Sequence, residues 1–290
     1  MSYYGLPVLK RPHWKWQIPL YFFLSGLAGS SYLIATVAEW LGSGADRPIV
    51  AAGRYLALGG VTAGVPLLID DLGRPTRFHH MLRIVKPRSP MSVGSWALTF
   101  FGGFAAGSAL LQRMAAPTRL RRMVGLCGLP FAAFVASYTG VLLAATAVPL
   151  WARARLFLPP LFVLSGTSTA LALIGLLSRM PGRLRDLEAV ALVGELCAVA
   201  ALVGALGPRI GRPLLAGRTA GPFWVGAVGL GQIAPLLLHA SQARGRARSR
   251  TLEALGAGLV IVGGLLTRWT LVEAGKASAD DPEAALAHHG

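Results

Sequence analysis

The sequence predicts an all-α, polytopic membrane protein, with eight transmembrane helices in a bundle of two four-helix halves. Three observations predict it. Of 290 residues, 54% are apolar or aromatic and only 14% are charged, whereas soluble domains carry roughly 45–50% and about 25%. The apolar residues gather in runs of about 20 or more, the length a helix needs to cross a hydrocarbon core about 30 Å thick. Most connections between the runs are short, and they hold the helix breakers and the charge clusters.

The runs cover residues 17–41, 48–70, 93–112, 124–149, 156–178, 187–207, 221–240 and 254–273. The first follows Lys10, Arg11 and Lys15, as a signal peptide would. Its length of about 24 residues exceeds the usual 7–15 of such a segment, and no small-x-small cleavage site follows, so it reads as a span. The second carries Gly60 and Gly64 and the third Gly103 and Gly107, GxxxG pairs that let helix backbones approach closely. Pro66, Pro130 and Pro235 fall inside the second, fourth and seventh spans, where a missing N–H kinks the helix and frees a carbonyl. The third and fourth spans are joined by RMAAPTRLRRM (113–123), the seventh and eighth by SQARGRARSR (241–250). Segment 71–92 is the exception: it is long, punctuated by Pro75, Pro87 and Pro90, and connections of that length are usually functional or disordered. Residues before 17 and after about 276 are polar and peripheral, so 1–290 reads as a single integral membrane domain.

The formal charge is +16, from 28 basic and 12 acidic residues. Such a balance often marks a nucleic-acid partner, but here the basic residues sit in short clusters with no interleaved aromatics, which excludes that class. Lys and Arg divide almost evenly between the two sets of connections, so the positive-inside rule alone does not orient the protein. The densest acid-free clusters, Arg119–Arg121–Arg122 and Arg244–Arg246–Arg248–Arg250, lie on the face away from the N-terminus and lean toward an external N-terminus.

Cys127 and Cys197 both fall in apolar runs. They exclude a disulfide framework and a self-contained iron–sulfur cluster, which needs about four thiolates, and read as small buried apolar residues. None of the six histidines lies at the centre of a span, which excludes a bis-His haem within the bundle. No HExxH or comparable metal spacing occurs. A redox role therefore uses an organic carrier dissolved in the membrane, or a centre on a partner.

Ionisable residues inside spans are costly and point to function. Glu39, Arg54 and Glu273 are near span ends, where snorkelling suffices. Glu195 and Arg268 are deeper: they pair with each other or with backbone carbonyls, or they belong to a proton pathway. Asp70 and Asp71 close the second span; they cap it or pair with Arg74, or Asp71 handles protons. Gln17 and Tyr21 are i,i+4 neighbours at a water-facing helix end, the usual place of headgroup anchors.

Several stretches, in order along the sequence, resemble the NrfD/PsrC family: YFFLSGLAG (21–29), DLGRPTRFHHMLRIVKPRSPMSVGSW (71–96), YTGVLLAATAVPLW (138–151), LPPLF (158–162) and RWTLVEAG (268–275). The resemblance implies a haem-free, quinone-binding membrane subunit using menaquinone or ubiquinone, without an iron–sulfur cluster of its own. It implies an iron–sulfur partner with 4Fe–4S clusters, a molybdopterin catalytic subunit, and a place in the bacterial cytoplasmic membrane. It also implies a quinone site near the outer face, built from the start of the first helix and a tyrosine of the fourth. Tyr138, in YTG, matches that tyrosine. Gln17 and Tyr21 stand where the family usually has Asn and His, a departure that leaves quinone type and proton route open, since Tyr cannot shuttle protons near neutral pH as His does. Arg74, Arg77, Lys86 and Arg88 become candidates for docking the iron–sulfur partner; the other reading of that loop is a headgroup-facing basic segment. A structural anchor without quinone chemistry and a small-solute or ion transporter stay as alternative functions, although no convincing inverted repeat supports the latter.

Overall fold

A computed structural model describes residues 9–244 and 249–282, and among them every regular element is helical. The helices are α1 (Gln17–Leu41), α2 (Arg47–Asp70), α3 (Pro90–Arg113), α4 (Thr118–Ala144), α5 (Pro149–Arg153), α6 (Leu158–Leu177), α7 (Gly182–Ile210), α8 (Arg212–Leu215), α9 and α10 (Arg250–Ala279). Helix α9 starts as a π-helix over Pro222–Ile233 and continues as an α-helix over Ala234–Arg244. Eight of them, all but α5 and α8, are long and apolar enough to cross a membrane. Even the shortest, α6 with 20 residues, reaches about 30 Å at 1.5 Å per residue. Large outward-facing side chains are apolar, with Val190, Val225 and Leu237 each 65% exposed; repeated around a bundle, such a surface belongs in hydrocarbon. Arg246, Arg248, His288 and His289 lie outside the described residues.

Helices α1–α4 pack as one half and α6, α7, α9 and α10 as the other, with α1 and α6 at the junction. Helix α1 is the centre: 78% of its apolar window is buried, against α2, α4, α6 and α10. The pair Gly60 and Gly64 explains the closest of these contacts, because a Cβ at Gly60 would stand 2.9 Å from both the Ala28 methyl and the Leu24 carbonyl of α1. Gly103 packs against nothing and Gly107 only approaches Val124, so the third-span pair is not a helix contact.

The structure corrects three expectations here. The fourth span does not run to 149: α4 stops at Ala144 and the backbone restarts as α5. Pro149 is the cause, since it has no N–H to extend the ladder and disfavours helical geometry in the residue before it. Helix α5 turns inward, where Trp151 is fully buried and donates its indole N–H to the Leu271 carbonyl at 2.9 Å. The sixth span ends at Gly207 as expected: that residue takes φ 65° just before Pro208, and α7 runs on past the kink to Ile210. Cys127 and Cys197 face outward, not into the core. Glu39 and Arg54 do not snorkel: both are buried, and Arg54 bonds Glu39 while donating to Gln112 Oε1 at 2.9 Å.

Candidate functional site

The N-termini of α1, α3 and α6 and the C-termini of α2, α4 and α10 gather on one face of the bundle, here the Gln17 face. Pro19 sits in the first turn of α1, where a missing N–H costs nothing because that group has no helical partner anyway. Gln17 is only 6% exposed and donates Nε2–H to Asp70 Oδ2 at 2.7 Å. Its other amide atom, Oε1, is buried without a partner, which is rare for a buried acceptor. Beside it, the Lys15 backbone N–H donates to Asp71 Oδ1 at 3.4 Å, and Lys276 donates to Glu273 Oε1 at 2.5 Å.

Burial pushes the Asp71 carboxyl above its ordinary 3.8, against the opposing pull of the Lys15 N–H and the charges of Lys15 and Lys276. A carboxyl whose pKa rises on folding stabilises the fold below its unfolded pKa, and that contribution is lost as pH rises through the folded value. Asp71→Asn is therefore expected to raise the thermal midpoint of the purified protein at neutral pH and to leave it unchanged below about pH 3.5. An equal shift at both pH values would refute the assignment.

Tyr21 lies one turn beyond Gln17, 4% exposed, with its ring near Phe22 and Gly64. Tyr138 of α4 donates its hydroxyl to the Pro90 carbonyl at the start of α3, at 2.7 Å, and stacks on Phe134 at 5.1 Å. Gly94 leaves the phenol its place, since a Cβ there would collide with the Tyr138 ring. Because α4 stops at Ala144, Tyr138 is about 9 Å from its helix end and Tyr21 about 6 Å from its own, by rise per residue. The early stop thus leaves the two phenols at similar distances from their helix ends.

Segment 71–92 covers part of this face. Its centre, Pro75–Leu82, is a 3-10 helix without a buried residue. Arg74, Arg77, Arg83, Lys86 and Arg88 are all exposed, and among the described residues none forms an ion pair. Phe78, Ile84 and Val85 are exposed between them, at 42%, 64% and 58%. The expected pairing of Asp70 or Asp71 with Arg74 is not made: Asp70 takes Gln17 and Asp71 takes Lys15.

Glu195 and Arg268 lie apart from Gln17, in the interior of the second half, 2% and 0% exposed. Of the two expected pairings of Arg268, the one with backbone carbonyls is made, and among the described residues no direct ion pair joins it to Glu195. It donates to the carbonyls of Phe22, Phe162 and Gly264 at 3.2, 3.1 and 2.8 Å. It also donates to Ser165 Oγ at 2.9 Å. Ser168 donates to Glu195 Oε2 at 3.2 Å. Phe22 adjoins Tyr21, so Arg268 ties this network to α1. Among the described residues no three His, Cys, Asp or Glu gather as a metal-binding group.

A profile of the family described as "Polysulphide reductase, NrfD" matches residues 9–279. The protein belongs to the NrfD family. The C chain of polysulfide reductase from Wolinella succinogenes is 28% identical to it, over 91% of the present sequence and 94% of its own length. Protein NrfD of Escherichia coli is 29% identical, over 91% of the present sequence and 95% of its own. With its eight apolar helices, this NrfD-family member is a multi-pass membrane protein.

Within this NrfD-family fold, Gln17, Tyr21, Tyr138 and Asp71 come to one face, while Glu195 stays apart in the second half, bonded by Ser168. Sequence reasoning missed Asp70 as the partner of Gln17, and it missed Ser165 and Ser168. Small polar residues three apart in an apolar helix, such as Ser165 and Ser168, were the available signal for the last group. Nothing in the sequence pointed to the backbone carbonyl of Pro90.

Proposed function

We propose that this protein is the quinol-reactive membrane subunit of a respiratory oxidoreductase complex. It exchanges electrons between menaquinol or ubiquinol and an iron–sulfur subunit docked on the Gln17 face, which serves a molybdopterin catalytic subunit. The observation that carries this reading is the buried, unpartnered Gln17 Oε1 beside Tyr21 and Asp70. That atom is an acceptor, the complement of a quinol hydroxyl. A quinol supplies two electrons and two protons as it is oxidised. The protein's own residues do the rest: Gln17 Oε1 accepts a hydroxyl, Tyr21 and Tyr138 wall the ring with their aromatic faces, and Asp70 and Asp71 receive protons at the water boundary. The exposed cations of 71–92, interleaved with apolar side chains, suit an acidic partner surface.

The proposed setting is the bacterial cytoplasmic membrane with the N-terminus outside, in keeping with Arg119, Arg121 and Arg122 at the opposite face. Changing Arg74, Arg77, Lys86 and Arg88 together to Glu is expected to abolish co-purification of the iron–sulfur subunit while the protein still inserts; retained co-purification would remove the loop from the docking surface. A second reading, a structural anchor, draws on the Tyr138 hydroxyl being already engaged by Pro90. Quinol oxidation by the purified complex decides between them. Inhibition by a quinone analogue supports the site, and insensitivity favours the anchor.

A further inference from the structure

On the face opposite Gln17, the first half of the bundle encloses a pocket of about 180 Å³, where α1 and α3 end and α2 and α4 begin. Glu39, Arg47, Gln112, Thr118, Arg121 and Arg122 line it. Its charges do not balance. Glu39 is the one carboxylate in the wall, and it is already held by Arg54 and by Arg121 Nε, the latter at 3.3 Å. Arg54 and Arg121 also share Gln112 Oε1, at 2.9 and 3.2 Å. Arg122 donates Nε–H and Nη2–H to the Glu39 backbone carbonyl at 3.2 and 3.0 Å. Arg47 is exposed, and among the described residues neither it nor Arg122 forms an ion pair. The neighbouring Asp46 carboxylate is taken by Arg183 and the Ser43 N–H. Four guanidinium groups, those of Arg47, Arg54, Arg121 and Arg122, thus meet one carboxylate.

The two helix starts sharpen the imbalance. The first N–H groups of a helix have no helical partner and carry partial positive charge, so a first turn favours acids and disfavours cations. Neither α2 nor α4 has an acidic residue in its first turn. Arg47 opens α2 instead, and Arg119, Arg121 and Arg122 crowd the start of α4. Asp46 and Pro117, the residues before the two helices, make no side-chain cap. Breaking the same local rule on two helices at one pocket costs stability, and a bound anion offsets that cost.

Size and surroundings give the class of that anion. The pocket is smaller than the roughly 300–1,000 Å³ that encloses a drug-sized ligand, and it suits a headgroup. Trp40 stands beside it, 43% exposed, with the Arg122 guanidinium 5.5 Å over its ring, and exposed tryptophans of membrane proteins lie at headgroup level. Val37 and Leu41 of α1 and Leu120 and Met123 of α4 are exposed next to the lining residues, an apolar surface for acyl chains. We propose that this pocket is a phosphate site for one anionic phospholipid of the phosphatidylglycerol class, its phosphodiester held by Arg47, Arg122 and the start of α4. Guanidinium groups match phosphate oxygens with paired N–H donors. Glu39 Oε1 is buried without a hydrogen-bond donor, and a glycerol hydroxyl of that headgroup supplies one. A choline headgroup has no such hydroxyl and adds a cation to a basic wall.

The test uses the full-length protein in a neutral detergent and needs neither quinone nor partner, so its failure leaves the proposed function standing, and the reverse. Native mass spectrometry is expected to show dioleoylphosphatidylglycerol bound about tenfold more tightly than dioleoylphosphatidylcholine, and the anionic lipid should raise the thermal midpoint. Arg47→Glu reverses one exposed charge and should remove that tenfold preference. The matched change Arg155→Glu, at an exposed position between α5 and α6, should leave it intact. Thr118→Glu places an acid in the first turn of α4; it should raise the midpoint of the lipid-free protein and cancel the further rise with the anionic lipid. Equal binding of the two lipids, or a response to the anionic lipid that survives Arg47→Glu or Thr118→Glu, overturns the proposal. Inorganic phosphate that raises the midpoint as far as the anionic lipid does, with no lipid added, overturns the lipid as occupant in favour of a free anion.

Discussion

Arg268→Ala is expected to cost the purified protein about 3–5 kcal/mol, the range for removing one member of a buried charged group. Arg268 is fully buried and donates to three backbone carbonyls on α1, α6 and α10 as well as to Ser165. Its guanidinium lies over the rings of Phe23 and Phe162, at 5.9 and 5.2 Å. Truncation leaves those acceptors without the guanidinium, and the Glu195 carboxylate without its nearest cation, in the interior of the bundle. The loss is a desolvation cost and not the worth of a contact. The double variant Arg268→Met/Glu195→Gln should therefore recover much of it, because replacing both partners avoids the orphaned charge. Arg268→Lys should recover little, since an ammonium cannot reproduce the planar fork. Unfolding in mixed micelles measures all three. A loss below about 1 kcal/mol in the single variant would show that the network is not structural.

Gln17→Ala is expected to lower quinol oxidation by the assembled complex about a hundredfold, and Tyr138→Phe about tenfold, in the range that removing one polar contact at a reacting group costs. The ordering follows from the geometry. Gln17 holds Asp70 with one amide atom and leaves the other buried and open, whereas the Tyr138 hydroxyl is engaged with Pro90 and offers a quinol chiefly its ring and an oxygen lone pair. Gly94→Ala tests the same point without deleting a polar atom, because the added methyl must push the Tyr138 ring from its place. Assembly, read as co-purifying subunits, has to stay intact in each variant for the rates to count. Wild-type turnover in assembled Gln17→Ala would take Gln17 out of the site.

The helices were legible in the sequence because a lipid solvent enforces them. A backbone with no water to bond must satisfy itself, so a run of about 20 apolar residues has only one common solution. Gln17 and Tyr21 were legible as a pair for the same kind of reason, since a spacing of four in a helix is a spacing in space. The end of α4 was less so. Apolar composition continues from Val141 through Trp151 with few interruptions, and only Pro149 marks the break. That one break decides where Tyr138 stands relative to Tyr21, and with it the shape of the candidate site.

The sequence by itself determined the class, the number of spans and the family, all of which rest on local composition and on motifs in order. The tertiary structure alone decided which polar residues meet. Glu39 and Arg54 read as snorkelling residues until two helices enclosed them. Asp70 read as a neighbour of Arg74 and turned out to hold Gln17, far away in the sequence. Ser168 with Glu195, and Ser165 with Arg268, come from helices whose register along the bundle no single stretch encodes. In hydrocarbon every buried polar group must find a partner, and which one it finds depends on how the helices cross. That geometry is set by small residues such as Gly60 on α2 and by the breaks at Pro149 and Gly207.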